Sequence, residues 1–253
     1  MPSYVIVGTS AGYGLDYQFL RTISEQDPQN VVIAVVRSPK EFQAKLDAED
    51  QAKVDAEKQA KVDAEKQAKL DTGARCQWPQ KNVHIIYGDM DSHTSRKSAA
   101  DKTAEITGGV VDYLIVNACN NSLPTLFMKP AEFVDNEDLY LNELTQAMRT
   151  NVGGNLFAFN AFMRLILKSN IKRVAAITSA AAARDFIFEA EYSEHIQYAT
   201  SKAALNTLVA KFAARYKNDG VLFVALHTGF VDTYPNAPKN FRRGLLCIGL
   251  TRR

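Results

Sequence analysis

Residues 4–15 read YVIVGTSAGYGL. The apolar run Tyr4 to Val7 enters three glycines, Gly8, Gly12 and Gly14, and from Leu15 the apolar residues Leu15, Phe19, Leu20 and Ile23 recur at helical spacing. Strand, glycine-rich turn and helix together form a phosphate-binding arrangement. Glycines let the backbone approach an anion, and a helix N-terminus offers free N–H groups and the positive end of its dipole. The spacing is G-x-x-x-G-x-G, which differs from the common G-x-G-x-x-G fingerprint.

Outward from this stretch the chain alternates. Residues 31–37, VVIAVVR, form a continuous apolar run, as expected of a parallel strand covered on both faces. Further strands are predicted at 82–87 (NVHIIY), 112–118 (DYLIVNA), 172–179 (KRVAAITS) and 221–227 (VLFVALH), with helical stretches between them. Six strands alternating with helices predict an α/β fold, a doubly wound parallel sheet of the Rossmann type, over one dinucleotide-binding domain spanning 1–253. Ligands of such sheets bind at the carboxyl ends of the strands, where the glycine loop, Asp89, Asn117, Ser179 and Thr228-Gly229 fall. Arg37 ends the second strand where a carboxylate would accept from a ribose 2′-OH; an Arg there accommodates a 2′-phosphate, so NADP(H) is expected over NAD(H). Asp89 could meet the adenine or cap the helix expected at 92–106. His84, inside a strand, reads as a core or edge histidine.

Three local features stand out. Residues 43–71 repeat an octapeptide (QAKLDAED, QAKVDAEK, QAKVDAEK, QAKLD), with Glu–Lys pairs at i,i+4, and predict a long, mostly solvated helix inserted after the second strand. Its apolar positions Leu46, Val54, Val62 and Leu70 recur every eight residues, about 80° beyond two full turns, so they form no stripe. A long helical region from Asn136 to Lys168 contains Thr150-Asn151-Val152-Gly153-Gly154, poor helix formers whose presence mid-element marks a site. Residues 180–195 read as a loop with Phe186, Ile187, Phe188 and Tyr192.

In the stretch IQYATSKA, residues 196–203, Tyr198 and Lys202 are four apart. On a helix they share a face, which brings an ammonium near a phenol. A phenol has a pKa of about 10, and an adjacent positive charge favours the phenolate, giving a general acid–base suited to neutral pH.

Composition excludes little beyond this. The 253 residues are 46% hydrophobic and 23% charged, an ordinary globular balance. The net charge of +2 gives no ground for a nucleic-acid partner. No signal peptide or membrane span is read in the chain. Cys76, Cys119 and Cys247 lack metal-ligand spacing, so no metal site is expected, and they suit a reducing, cytoplasmic location.

Taken in order, these residues resemble the short-chain dehydrogenase/reductase (SDR) family in its NADP-preferring form, with an impression of fungal carbonyl reductases. The resemblance covers nearly everything except the repeat and the last twenty or so residues. It implies a nicotinamide-dependent oxidoreductase, a ketoreductase or carbonyl reductase interconverting a carbonyl and an alcohol on a small substrate; Phe186, Ile187, Phe188 and Tyr234 suggest an apolar one, although loop aromatics as often serve packing. It implies catalytic roles for Asn151, Ser179, Tyr198 and Lys202, with Asn151 holding a relay water. It implies cofactor contacts from Gly8, Ser10, Gly12, Tyr13, Gly14, Arg37, Asp89, Asn117, Tyr198, Lys202, Gly229, Val231 and Thr233. The chain departs from the family pattern at Val7, at Val116 and Cys119 in the N-N-A-G motif, and at His227-Thr228, and the stretch from Ser179 to Tyr198 is longer than usual. Residues 234–253 read as a short basic tail, too brief for the family's last helix and strand, which counts against a homo-oligomer. The alternative reading is a catalytically impaired nucleotide-binding protein, or an interaction scaffold using the repeat.

Overall fold

A computed structural model describes residues 1–8, 14–48, 81–121 and 125–229. Six strands among them form one parallel sheet: β1 (Ser3–Val7), β2 (Val31–Val36), β3 (Val83–Tyr87), β4 (Tyr113–Val116), β5 (Arg173–Ile177) and β6 (Leu222–Leu226). The spatial order is β3-β2-β1-β4-β5-β6. The order reverses between β1 and β4, whose register pairs Val7 with Val116, so the two chains diverge just past these residues. This is the expected Rossmann-type fold.

The apolar runs are continuous because both sheet faces are covered. On one face Ile6, Val32, Ala34 and Val36 meet Tyr17 and Leu20 of α1 (Leu15–Gln26) and Phe42 and Leu46 of α2 (39–48). On the other, Val5, Val7, Ile33 and Val35 meet α3 (His93–Thr107), α5 (Asn155–Ile166) and α7 (Ile196–Tyr216) through residues such as Ala99, Phe159, Phe162 and Leu205. Alternate residues of one strand serve opposite layers, the period-2 rule applied to a sheet with no wet face.

Four expectations are corrected. Leu46, read as belonging to no stripe in a mostly solvated helix, is buried against the sheet beside Phe42; the remainder of the repeat lies outside the described residues. The helical region from Asn136 is not regular: α4 (Glu137–Ala147) passes into a π-helical turn, Met148–Gly154, before α5 begins. The stretch 180–195 is no plain loop, since it carries a 3-10 turn, Ala180–Ala182, and the short helix α6 (Arg184–Glu189), which has Asp185 in its first turn to oppose the dipole. The cap of α3 is Ser92, whose Oγ accepts from the Ser95 N–H at 3.3 Å, and not Asp89.

Gly8 shows how tightly the switch point is built. Its φ is +88°, and a Cβ there would lie 2.4 Å from the Ala118 Cα, while the Asn117 and Ala118 N–H groups both donate to the Val7 carbonyl at 2.9 and 3.1 Å. Gly8→Ala combines a disfavoured backbone with a main-chain overlap and is expected to cost about 2–5 kcal/mol, read as a lower urea midpoint; an unchanged midpoint would show that the two strand ends can separate freely.

Candidate functional site

The carboxyl ends of β1, β3, β4 and β5 and the first turns of α7 converge on one region. Tyr198 and Lys202 stand on α7 as the i,i+4 spacing predicts, with the Lys202 Nζ 5.6 Å from the centre of the Tyr198 ring. Lys202 is 1% exposed, and its Nζ donates to the Ile177 carbonyl at 2.7 Å. A buried ammonium needs acceptors, and this one takes a carbonyl from the last residue of β5. Ser179 follows two residues later, half-buried in extended backbone at the start of the 3-10 turn. Its Oγ accepts from the Ala181 N–H at 3.2 Å. Among the described residues no acceptor is recorded for the Ser179 proton, which leaves that hydroxyl able to donate.

Asn151 sits fully buried in the π-helical turn. Its Oδ1 accepts from the Asn120 N–H at 2.6 Å, and its Nδ2 donates to the Asn120 carbonyl at 2.9 Å and to Ser201 Oγ at 2.8 Å. Ser201 Oγ in turn donates to the Tyr198 carbonyl at 2.8 Å. The Asn151 main-chain carbonyl accepts from Asn155 Nδ2 at 2.8 Å. One amide therefore joins the loop after β4 to the helix that carries Tyr198 and Lys202. π-turns are frequent at functional sites because they turn a side chain out of the helical register.

The residues assigned to cofactor contacts are distributed as follows. Gly8 lies at the end of β1, and Gly14 is the extended N-cap of α1, its carbonyl accepting from the Tyr17 and Gln18 N–H groups. Arg37 is exposed just past the end of β2. Asp89 is half-buried after β3; its N–H donates to Ser95 Oγ at 2.8 Å and its Oδ1 accepts from the Asp91 N–H at 3.0 Å, an Asx turn. Asn117 follows β4, and Gly229 adopts φ +80° after β6. Ser10, Gly12, Tyr13, Val231 and Thr233 lie outside the described residues. Cys119, in the place of the glycine of the family's N-N-A-G motif, is an exposed free thiol. Desolvation by the surrounding protein pushes its pKa up, and the nearby Lys202 charge acts in the opposite direction.

The sequence reading passed over three participants. Asn120 contributes through its main chain, which leaves no side-chain signature. Ser201 lies within IQYATSKA, between the two residues that carry the signal, and its own hydroxyl gives no pattern. His195 stands three residues before Tyr198, a spacing that could have been read as a shared helix face. It is buried in the left-handed conformation (φ 57°, ψ 37°) at the start of α7, its N–H donating to the Leu126 carbonyl at 3.1 Å, and its ring meets Tyr198 edge-on at 6.3 Å between centroids. Of the aromatics expected to shape an apolar pocket, Phe186 packs against Tyr192 at 5.8 Å whereas Phe188 is 72% exposed.

Comparison with known proteins agrees with this layout. Residues 47–243 match the family model described as short chain dehydrogenase. The chain is 37% identical over 246 residues to the short chain dehydrogenase virK of Hypocrea virens, covering 94% of this chain and 77% of that protein. It is 34% identical over 249 residues to the short-chain dehydrogenase/reductase iacC of Pestalotiopsis fici, covering 97% and 80%. Among solved structures, the NADPH-bound carbonyl reductase from chicken fatty liver shares the fold with a TM-score of 0.65 at 21% identity, over 94% of this chain and 81% of that one. Among the described residues no helix is long and apolar enough to cross a membrane. With the sheet order, the Tyr198/Lys202 pair and these matches in agreement, the chain belongs to the short-chain dehydrogenase/reductase family of oxidoreductases.

Proposed function

We propose that the protein is an NADP(H)-dependent reductase that moves a hydride between nicotinamide and the carbonyl or alcohol carbon of a small, predominantly apolar molecule. The observation that carries this reading is the Tyr198/Lys202 pair, held by a buried ammonium bonded to the end of β5.

The residues present fit a dinucleotide. Gly8 keeps side chains out of the switch point, where a Cβ would overlap Ala118. Asp89 offers a free carboxylate oxygen at one end of the row of strand ends and Lys202 an ammonium at the other. Gly8, Gly14, Asp89 and Asn117 would hold the cofactor together with Ser10, Gly12, Tyr13, Gly229, Val231 and Thr233, and Arg37 would take a 2′-phosphate. When bound, the nicotinamide supplies or accepts the hydride. The chain's own groups manage the proton. Tyr198 Oη gives its proton to the substrate oxygen as negative charge develops there. Ser179 Oγ–H donates a hydrogen bond to the same oxygen and stabilises that charge. The Lys202 ammonium stabilises the phenolate left on Tyr198 and, by resemblance, holds the nicotinamide ribose. The resemblance gives Asn151 a relay water; its side chain, committed to Asn120 and Ser201, fixes the loop and the helix between which the reaction runs.

NADP(H) over NAD(H) rests on Arg37 and the missing carboxylate at the end of β2, and the NADPH in the chicken reductase points the same way. Titration with NADPH and NADH, followed by nicotinamide fluorescence, tests it. Wild-type protein is expected to bind NADPH at least about tenfold more tightly, and Arg37→Glu to remove most of that preference while leaving NADH binding little changed. Equal binding of the two would overturn the NADP(H) assignment. Binding of neither would overturn the reductase reading and leave the repeat-based scaffold.

A further inference from the structure

Among the described residues three buried side-chain polar atoms have no hydrogen-bond partner: Asn155 Oδ1, His195 Nε2 and Gln197 Nε2. Two of the three flank Tyr198 at the start of α7, His195 as its N-cap and Gln197 in its first turn. Gln197 faces away from Tyr198 by helical geometry, and an amide can exchange its oxygen and nitrogen ends, so its unpaired atom has no fixed character. His195 is different, because its other nitrogen is committed. Tyr192 Oη and His195 Nδ1 share a hydrogen bond. If the phenol donates, only Nε2–H is left unpaired. If Nδ1–H donates, both the phenolic hydrogen and the Nε2 lone pair are left unpaired. Each buried unpaired group is costly, so the first arrangement is favoured. The electrostatics agree: burial lowers the His195 pKa to about 4, which favours the neutral ring, and burial, with Glu194 and Tyr198 adding to it, raises the Tyr192 pKa, which favours the protonated phenol. His195 is thus a neutral imidazole with its single N–H on Nε2, 91% buried by a relative exposure of 9%, and unpaired.

The ring lies among aromatic surfaces. Phe127 is 5.7 Å away between centroids, Tyr192 5.6 Å and Tyr198 6.3 Å, and Phe186 extends the wall behind Tyr192. The ring is 6.3 Å from that of Tyr198, so a molecule with its carbonyl oxygen at the Tyr198 hydroxyl has atoms within reach of the imidazole once the groups covering Nε2 shift. We propose that His195 is a substrate-positioning residue whose Nε2–H takes a second acceptor oxygen of the substrate, so that the preferred substrates are dicarbonyl or oxygenated ketones bearing an aromatic or apolar group. The inference rests on the reductase reading and narrows its substrate class. The left-handed backbone at His195, uncommon for a residue other than glycine, fits a ring held in place for a purpose beyond starting a helix.

The test compares two ketones with one carbon skeleton, 1-phenylbutane-1,3-dione and 4-phenylbutan-2-one, on the full chain with NADPH. His195→Phe keeps a flat ring and deletes the donor; His195→Gln restores a donor near the Nε2 position. Wild-type protein is expected to favour the diketone in kcat/KM by about tenfold or more, mostly through KM. His195→Phe should erase that preference and leave turnover of the monoketone within about threefold, and His195→Gln should recover most of it. Binding of the diketone to protein loaded with NADP+, which cannot reduce it, gives a readout free of chemistry and should weaken about tenfold in His195→Phe. A preference unchanged in His195→Phe, or an equal loss on both ketones that His195→Gln does not rescue, would overturn the role of His195 and leave the reductase reading standing. No turnover of either ketone, with diketone binding still dependent on His195, would overturn the reductase reading and keep the donor site. Absence of both turnover and binding would overturn both.

Discussion

Replacing Tyr198 by Phe is expected to lower kcat for carbonyl reduction about 10³-fold, within the 10²- to 10⁴-fold range of a single general acid–base. The change deletes one oxygen. The ring remains half-buried on α7, and the Lys202 Nζ keeps its Ile177 acceptor, so the fold has no reason to change. NADPH affinity is therefore expected to stay within about twofold, which separates this loss from one caused by unfolding. Fluorescence titration and steady-state reduction on the same preparation give both numbers. A variant that keeps kcat within tenfold would remove Tyr198 from the proton path and direct attention to Ser179 or to a water.

Asn151→Ala is expected to be the most destabilising side-chain truncation at the site. It removes three hydrogen bonds in a place with no exposure, and it strands the Asn120 N–H and carbonyl. Asn120 is half-buried, so water recovers part of the loss, and about 2–4 kcal/mol remains. For a chain of this size that is a fall in Tm of roughly 5–15 °C. Asn151→Asp should not rescue it. Ser201 Oγ already donates to the Tyr198 carbonyl, so it needs a donor from residue 151, and a buried carboxylate also faces the Asn120 carbonyl. A Tm within about 2 °C of wild type for Asn151→Ala would mean that loop and helix are held together elsewhere.

The sheet was legible because its signal is local. VVIAVVR and YVIV are apolar on both faces, which only a doubly covered strand requires, and Gly8 announces a backbone that no side chain could share. The Tyr198/Lys202 contact was legible because helical spacing alone delivers it. What escaped was decided by distant parts of the chain. The π-turn at Met148–Gly154 opens where Asn151 must reach Asn120 and Ser201, thirty-one and fifty residues away in sequence. Leu46 is buried because α2 lies over β1 and β2, a fact absent from the repeat that contains it. α6 is only six residues long, too short for a periodic pattern to declare itself. The unpaired nitrogen of His195 exists only once Tyr192 has taken the other one.

The two anchors described above share a property: at one end each is main chain. Lys202 is held by the carbonyl of Ile177, and Asn151 by the N–H and carbonyl of Asn120. A backbone group survives almost any substitution at its own position. Position 120 can therefore change its side chain, and position 177 can change among buried apolar residues, while both bonds persist; the side chains the bonds require are those of Asn151, Ser201 and Lys202. The anchoring therefore depends on three side chains where a network with side chains at both ends would need five, which loosens the constraint on the loop after β4.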